Sequence, residues 1–323
     1  MKKLLIVLFV VAMLAACGGP YAAEPQEMSL TIATPRGPAA LGMLYLMEQS
    51  QNGSTIGNYT FNVVGSPDEI PPMLVQGVID IAAVPPNLAS ILYNNPNLDL
   101  QVLAVPTMGV LHIVDTTGSI SSVEDLRGRT IYSSGGGGMP EFILNHVLHG
   151  NGLTPGVDVE IVFRPEHTEI AALLENEMAE IAMLPEPFAT TTVSRVDNLE
   201  YALDMTAEWD RISPDAGLVM TAVIARREVI ESHPDAIRVF MQEYSDSIRF
   251  TQQYVEAAAE LAVALDIIPA VPIARAAIPR SNIVFLTGEQ MKRYLDGVLR
   301  IFYANAPESV GGQVPDADFY FIQ

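Results

Sequence analysis

A chain of 323 residues that is 49% hydrophobic and 17% charged has enough material for one large core or two of ordinary size. Its formal charge of -21 would be repelled by nucleic acid and by anionic membrane surfaces, which excludes both as partners held by charge. The single cysteine excludes an intramolecular disulfide and a multi-cysteine metal site, while 23 Gly and 23 Pro predict many tight connections.

In chain order, Lys2 and Lys3 precede an uninterrupted apolar run from Leu4 to Ala16. That run is shorter than the ~20 residues a bilayer-spanning helix needs, and its layout is that of a secretory signal. Leu14-Ala15-Ala16-Cys17 is similar to the bacterial lipobox. The resemblance implies cleavage before Cys17 and lipid on its thiol; the alternative is an ordinary cleaved signal that happens to contain a cysteine. Residues 1–16 are expected to be a signal peptide and 17–27 a flexible tether. Loss of the two lysines takes the mature charge to about -23. The protein is then exported and anchored on the outer face of the bacterial cell membrane, or its periplasmic side, through that lipid alone.

Met28 to Ala33 reads as a strand, followed by the loop Thr34-Pro35-Arg36-Gly37 and a helix from Pro38 with Leu41, Leu44, Tyr45 and Met47 at helical spacing. Phe61 to Gly65 and Ile79 to Val84 are further strands, with helices at Glu69 to Val75 and Leu88 to Tyr93. Val102 to Val114 is long, β-rich and broken by Pro106 and Gly109, as a strand passing between two lobes would be. The alternation then returns, with strands at Arg129 to Ser133, Val159 to Phe163 and Ile181 to Leu184, and helices at Pro140 to Leu148 and Thr168 to Glu175. Gly217 to Ala225 reads as the return crossing, Pro234 to Leu265 as a long helix, and Thr287 to Gln290 as a capping-box start for a helix to Tyr303.

Strands alternating with helices predict mainly parallel sheets flanked by helices, an α/β architecture. The two stretches superpose at an offset of 100 without a gap, with 7 identities in the 21 pairs from 69 to 89. Two similar lobes are expected, 28–107 with 216–323 forming the first and 108–215 the second, joined by two crossing strands.

Three segments carry a resemblance to a known family. Leu74 to Ala82 (LVQGVIDIA), Ser122 to Ile131 (SVEDLRGRTI) and Arg226 to Pro234 (RREVIESHP) resemble signatures of type 2 periplasmic solute-binding proteins of ABC importers. The branch is the NMT1/THI5-like group, which includes sulfonate, taurine and thiamine-pyrimidine binders. The resemblance covers roughly Ser29 to Phe321 and implies a two-lobed binding fold, a small-molecule ligand, and a permease with its ATPase as partners. It leaves the ligand open, because the group binds diverse molecules. The cysteine-rich motif of the eukaryotic pyrimidine-synthesising relatives is absent, so their activity is not implied.

In parallel α/β sheets, ligands sit beyond the carboxyl ends of strands. That rule selects Pro35, Arg36, Gly37, Pro67, Pro86, Asn87 and Thr107 in the first lobe, and Ser134, Gly135, Gly136, Gly137, Gly138, Met139, His167, Glu186 and Pro187 in the second. The four glycines let backbone N–H groups approach a ligand, and the helix behind them offers its positive end; alternatively they are a flexible turn. No Gly-Lys-Ser/Thr follows, so the segment is not a P-loop. Arg36 is suited to an anion or stands as an exposed arginine, and Glu186, between two prolines, is suited to a ligand amine or is a solvated loop residue. Asn87 discriminates a ligand or caps its helix. Trp209, the only tryptophan, stacks on a planar ligand or belongs to the core.

Catalytic motifs G-x-S-x-G and H-E-x-x-H do not occur. His146 and His149 read as a surface helix pair, not a metal site. The expectation is a monomeric, non-enzymatic binding protein without cofactor or metal, for a planar or amino-bearing organic solute, with anions as runner-up. An enzyme using Glu186 and His167 as acid and base, and a ligand sensor, are the rival readings.

Overall fold

Residues 29–322 are described by the computed structural model; the expected signal peptide, tether and lipid-bearing Cys17 lie outside the described residues. The first stretch runs β1 (Ser29–Pro35), α1 (Pro38–Leu41), α2 (Leu44–Gln51), β2 (Asn58–Val64), α3 (Ile70–Val75), β3 (Ile81–Val84), α4 (Pro86–Tyr93) and β4 (Leu100–Met108). The middle runs β5 (Leu111–Asp115), β6 (Thr130–Ser134), α5 (Met139–Gly150), β7 (Glu160–Arg164), α6 (His167–Glu175), β8 (Ile181–Pro185), α7 (Phe188–Val193), β9 (Glu200–Asp204) and α8 (Met205–Ile212). The last part is β10 (Val219–Arg226), α9 (Arg227–Ser232), α10 (Pro234–Gln253), α11 (Val255–Ala264), α12 (Val271–Ala277), β11 (Ile283–Leu286) and α13 (Gly288–Asn305).

These strands form two sheets, ordered β11-β4-β10-β3-β1-β2 and β7-β6-β8-β5-β9. Without the edge strand β11 the two orders are the same pattern. In each, one antiparallel strand is inserted beside the third, β10 against β3 and β5 against β8. The inserted strand is in each case the one that has just arrived from the other lobe. The α/β fold is therefore two mixed sheets flanked by helices, each strand of the inner positions apolar on both faces because helices cover both. β3 shows this plainly, with all four residues buried.

The offset-100 repeat extends to backbone detail. Gly77 N–H donates to the Leu74 carbonyl and Val78 N–H to that of Met73, while Glu177 and Met178 do the same to Leu174 and Leu173. Gly77 and Glu177 both hold a left-handed conformation, at φ 67° and 56°. One turn geometry is thus met by glycine in one lobe and by a strained glutamate in the other.

A large core cluster continues from one lobe into the other: Ile113, Ile143 and Trp209 share it with Leu295, Leu299 and Phe302 of α13. Each such side chain, fully buried, contributes about 1.5–3 kcal/mol. The first crossing is tied at Asn282, whose carbonyl accepts from Met108 N–H at 3.0 Å. Its side-chain Nδ2 donates to the Gly109 carbonyl at 2.5 Å and to Thr206 Oγ1 at 3.3 Å. Gly109 is glycine for a steric reason: a β-carbon there would collide with Thr206 and Leu218.

Three expectations need correction. The helix expected from Pro234 to Leu265 is two helices, because Tyr254 leaves helical geometry at φ -120°, ψ 58° and the chain turns back. Thr287 is the N-cap of α13 but makes no side-chain cap bond, so no capping box forms. The expected return crossing, Gly217 to Ala225, is mostly β10, already inside the first sheet; the passage between lobes lies just before it.

Candidate functional site

In the first lobe, the ends of β1, β3 and β4 and the turn after β2 enclose a cavity of about 170 Å³. Pro35, Arg36, Pro67, Pro85 and Thr107 line it, with Val110 of the first crossing and Met220 and Thr221 of β10. It is smaller than the ~300–1,000 Å³ of pockets for drug-sized ligands, a size for a small solute. Its walls are apolar apart from a few hydrogen-bonding groups. Thr107 is 1% exposed, and its Oγ1 has no hydrogen-bond partner. Asn87 Oδ1 is buried and unpartnered as well. Leaving a buried polar atom unpaired costs about 1–3 kcal/mol, so Thr107 Oγ1, in the cavity wall, is a candidate partner for a ligand atom. Asn87 is not a helix cap: Pro85 holds that position and Pro86 begins α4, which places Asn87 in the first turn.

Arg36 lines the same cavity but pairs with Asp266 Oδ2 at 2.9 Å, both side chains largely in solvent. Its backbone N–H donates to the Val64 carbonyl, which ties the β1 loop to β2. Gly37 has φ 105°, a conformation that favours glycine, and its α-carbon faces open space.

The second lobe builds its wall from the equivalent strand ends. Ser134 Oγ lies 2.6 Å from His167 Nδ1, and the His167 ring rests on Phe188 at 4.6 Å between centroids. Burial pulls the His167 imidazole below its ordinary value, against a weaker opposite pull from Glu166. The glycine loop is shaped by Gly135 and Gly137, at φ 74° and 77°, and by Gly136, where a β-carbon would press on Phe163. Gly138 is the N-cap and Met139 the first residue of α5. The loop is closed upon its own helix, since Gly137 N–H donates to Glu141 Oε2 at 2.6 Å.

Glu186 is turned inward, 1% exposed. It accepts from Tyr201 Oη at 2.7 Å and from Thr190 N–H at 3.3 Å. Burial and the nearby Glu186 carboxylate push the Tyr201 hydroxyl above its ordinary range, so it stays a donor. His112 Nε2, 3.9 Å from Glu186, is buried without a hydrogen bond. Pro187 caps α7.

The two walls meet through one peptide: Glu186 N–H donates to the carbonyl of Val110, which lines the first-lobe cavity. A second contact crosses further out, where the Arg280 guanidinium lies 4.6 Å over the Tyr201 ring. The loops at Pro85 and Pro185 therefore border one region.

The structure brings Pro35, Arg36, Pro67 and Thr107 to one cavity and Ser134 and His167 into contact. It takes two expected residues elsewhere. Trp209 is fully buried, donates Nε1–H to the Ala216 carbonyl, and packs on His146 and Phe302 as a core pivot between lobes. Glu186 faces the interior and not a ligand amine, and with His167 bonded to Ser134 the two do not meet as acid and base. Met220, Thr221 and Val110 were missed for a topological reason. β10 runs against its neighbours, so its amino end reaches this edge, whereas the rule selects carboxyl ends. Asp266 carried no sequence signal.

His146 Nε2 bonds Ser213 Oγ at 2.8 Å, and among the described residues no three His, Cys, Asp or Glu side chains group as a metal site. No helix of the described residues is long and apolar enough to cross a membrane. A larger concavity, about 820 Å³, lies between α13 and the C-terminal segment, bordered by Lys292, Asp296, Arg300, Asp316 and Tyr320. It touches none of the strand ends or crossings.

Comparison with known proteins agrees with this fold. The NMT1/THI5-like family matches residues 100–258. Among solved structures, an ABC transporter protein from Parabacteroides distasonis superposes with TM-score 0.78 at 22% identity, covering 91% of this chain and 98% of that one. The periplasmic aliphatic sulphonate binding protein of Escherichia coli superposes with TM-score 0.70 at 14% identity, covering 91% and 92%. The periplasmic nitrate-binding protein of Synechocystis PCC 6803 gives TM-score 0.61 at 12% identity, covering 91% and 84%. These likenesses establish the fold. No curated protein matches the chain.

Proposed function

We propose that this chain, which has the two-lobed fold of the periplasmic binding proteins and matches the NMT1/THI5-like family over residues 100–258, is the substrate-binding component of an ABC importer. Residues 28–107 with 216–323 form one lobe and 108–215 the other. A small organic solute enters between them and the lobes close on it, with Asn282 and Gly109 at the hinge. The closed form then docks on a permease coupled to an ATPase.

The single observation that carries the reading is Thr107 Oγ1, an unpartnered polar atom in the wall of a cavity bordered by strand ends and a crossing, with Asn87 Oδ1 also unpartnered two residues beyond Pro85 of that wall. A protein stable without ligand does not gain from leaving these buried; one that binds a solute does. The chain acts without catalysis. It is exported and held to the membrane through lipid on Cys17, as a monomer, with residues 1–16 removed and 17–27 as tether.

Small-angle scattering with and without solute tests the reading. The radius of gyration is expected to fall when a bound solute closes the lobes, and the melting temperature to rise. A solute that binds tightly yet leaves both unchanged contradicts it.

A further inference from the structure

We infer that the cleft selects an uncharged solute, and that Asp266 and Glu141 enforce this by occupying the groups that would otherwise attract an anion. The inference rests on the cleft reading above and narrows its ligand to a class. Two features at the strand ends are suited to anions. Arg36 is one, and the glycine loop with the positive end of α5, a helix of 12 residues, is the other. Each is met by a carboxylate of the protein itself. Asp266 sits 2.9 Å from Arg36 Nη1, and Glu141 takes Gly137 N–H at 2.6 Å from the first turn of α5. A sulfonate or nitrate arriving at either feature would have to displace the carboxylate already there.

A cation fares no better. Glu186, the buried carboxylate of the second wall, is bonded to Tyr201 and Thr190. In the first-lobe cavity the unpartnered group is neutral, the Thr107 hydroxyl, with the Asn87 carboxamide oxygen unpartnered beyond Pro85; His112 Nε2, also unpartnered, lies beside Glu186 in the second lobe. A hydroxyl and a carboxamide complement a group that both donates and accepts, such as an amide, a urea or an amino-heterocycle. Two acidic residues placed against the competing ligand class give selectivity without contributing to affinity.

The test uses shape-matched pairs that differ in charge: methanesulfonamide against methanesulfonate, acetamide against acetate, and nicotinamide against nicotinate. Each is titrated calorimetrically into the mature protein and into the double variant Asp266→Asn, Glu141→Gln. Asn suits the left-handed backbone at position 266, φ 56°, and Gln keeps an acceptor for Gly137 N–H. In the wild type the uncharged member of a pair binds more tightly. In the variant the anion gains about tenfold, as removal of unit charges near an anion at a protein surface implies. Tighter wild-type binding of the anions, or no anion gain in a folded variant, overturns the inference. If no member of any pair binds either protein, the proposed ligand class is overturned, while the cleft reading stands or falls on the scattering and melting test.

Discussion

The two lobes share a strand order and a backbone turn, yet their facing walls differ in chemistry. The first-lobe wall is a preformed apolar cavity with Thr107 Oγ1 left unpaired in it and Asn87 Oδ1 unpaired beyond Pro85. The second-lobe wall is largely self-satisfied: Ser134 with His167, Gly137 with Glu141, and Glu186 with Tyr201 and Thr190. Four of the five histidines lie in the middle stretch, and the one lysine outside the expected signal lies in the last part. The difference teaches that a repeated fold preserves the scaffold, whose demands are geometric, and frees the strand ends to diverge. The first wall keeps a hydrogen-bonding group unpaired, and the second is ordered by its own contacts.

The largest effect is expected where the lobes are joined. Trp209→Ala empties a fully buried site between α5 and α13 and costs about 3–5 kcal/mol. Denaturant unfolding is expected to shift as a single transition; two separate transitions would show that the lobes are independent bodies. Next come mirror-image changes at the walls. Tyr201→Phe strips Glu186 of its best donor and lowers stability by about 1–3 kcal/mol, measured by the same method. Thr107→Val removes a hydroxyl that has no partner, so stability is unchanged or slightly higher while solute affinity falls about tenfold. A stability loss there as large as at Tyr201 would erase the contrast between the walls.

Smaller effects test the shared turn. Glu177→Gly relieves a left-handed glutamate and raises stability by about 1 kcal/mol, whereas Gly77→Ala lowers it by a similar amount, crowding Arg226 as well. The smallest effect is pH dependence confined to the second lobe. Burial depresses both His146 and His167, His149 adding to the effect at His146, so the unfolded chain takes up protons first as the pH falls. Their contribution to stability is present above the ordinary histidine value near ~6.5 and is lost below it. The melting temperature is expected to drop between pH 7.5 and 5.5, and by less in His167→Gln.

The architecture was legible because apolar period and loop composition recur at a fixed offset, and packing of parallel strands requires both. The loops at Pro35, Pro67 and Ser134 were found by one topological rule, and the structure places them at strand ends as that rule demands. Direction and pairing were not legible. Nothing in the sequence around Met220 shows that β10 runs backwards, and nothing near Asp266 shows that it returns to Arg36 across 230 residues. Glu186 was misread because two flanking prolines fix the backbone without revealing which way the side chain turns. Trp209 failed similarly: an aromatic ring near a loop serves equally well as pivot or as stacking surface until its neighbours are known.

A crystal structure of the mature protein with its tightest-binding solute from the matched pairs tests the central claim most directly. The account predicts an uncharged molecule lying between the Pro85 and Pro185 loops, bonded to Thr107 Oγ1 and to the Asn87 carboxamide. A solute lodged instead in the groove beside Lys292 and Tyr320, with Thr107 still unpaired, would contradict it.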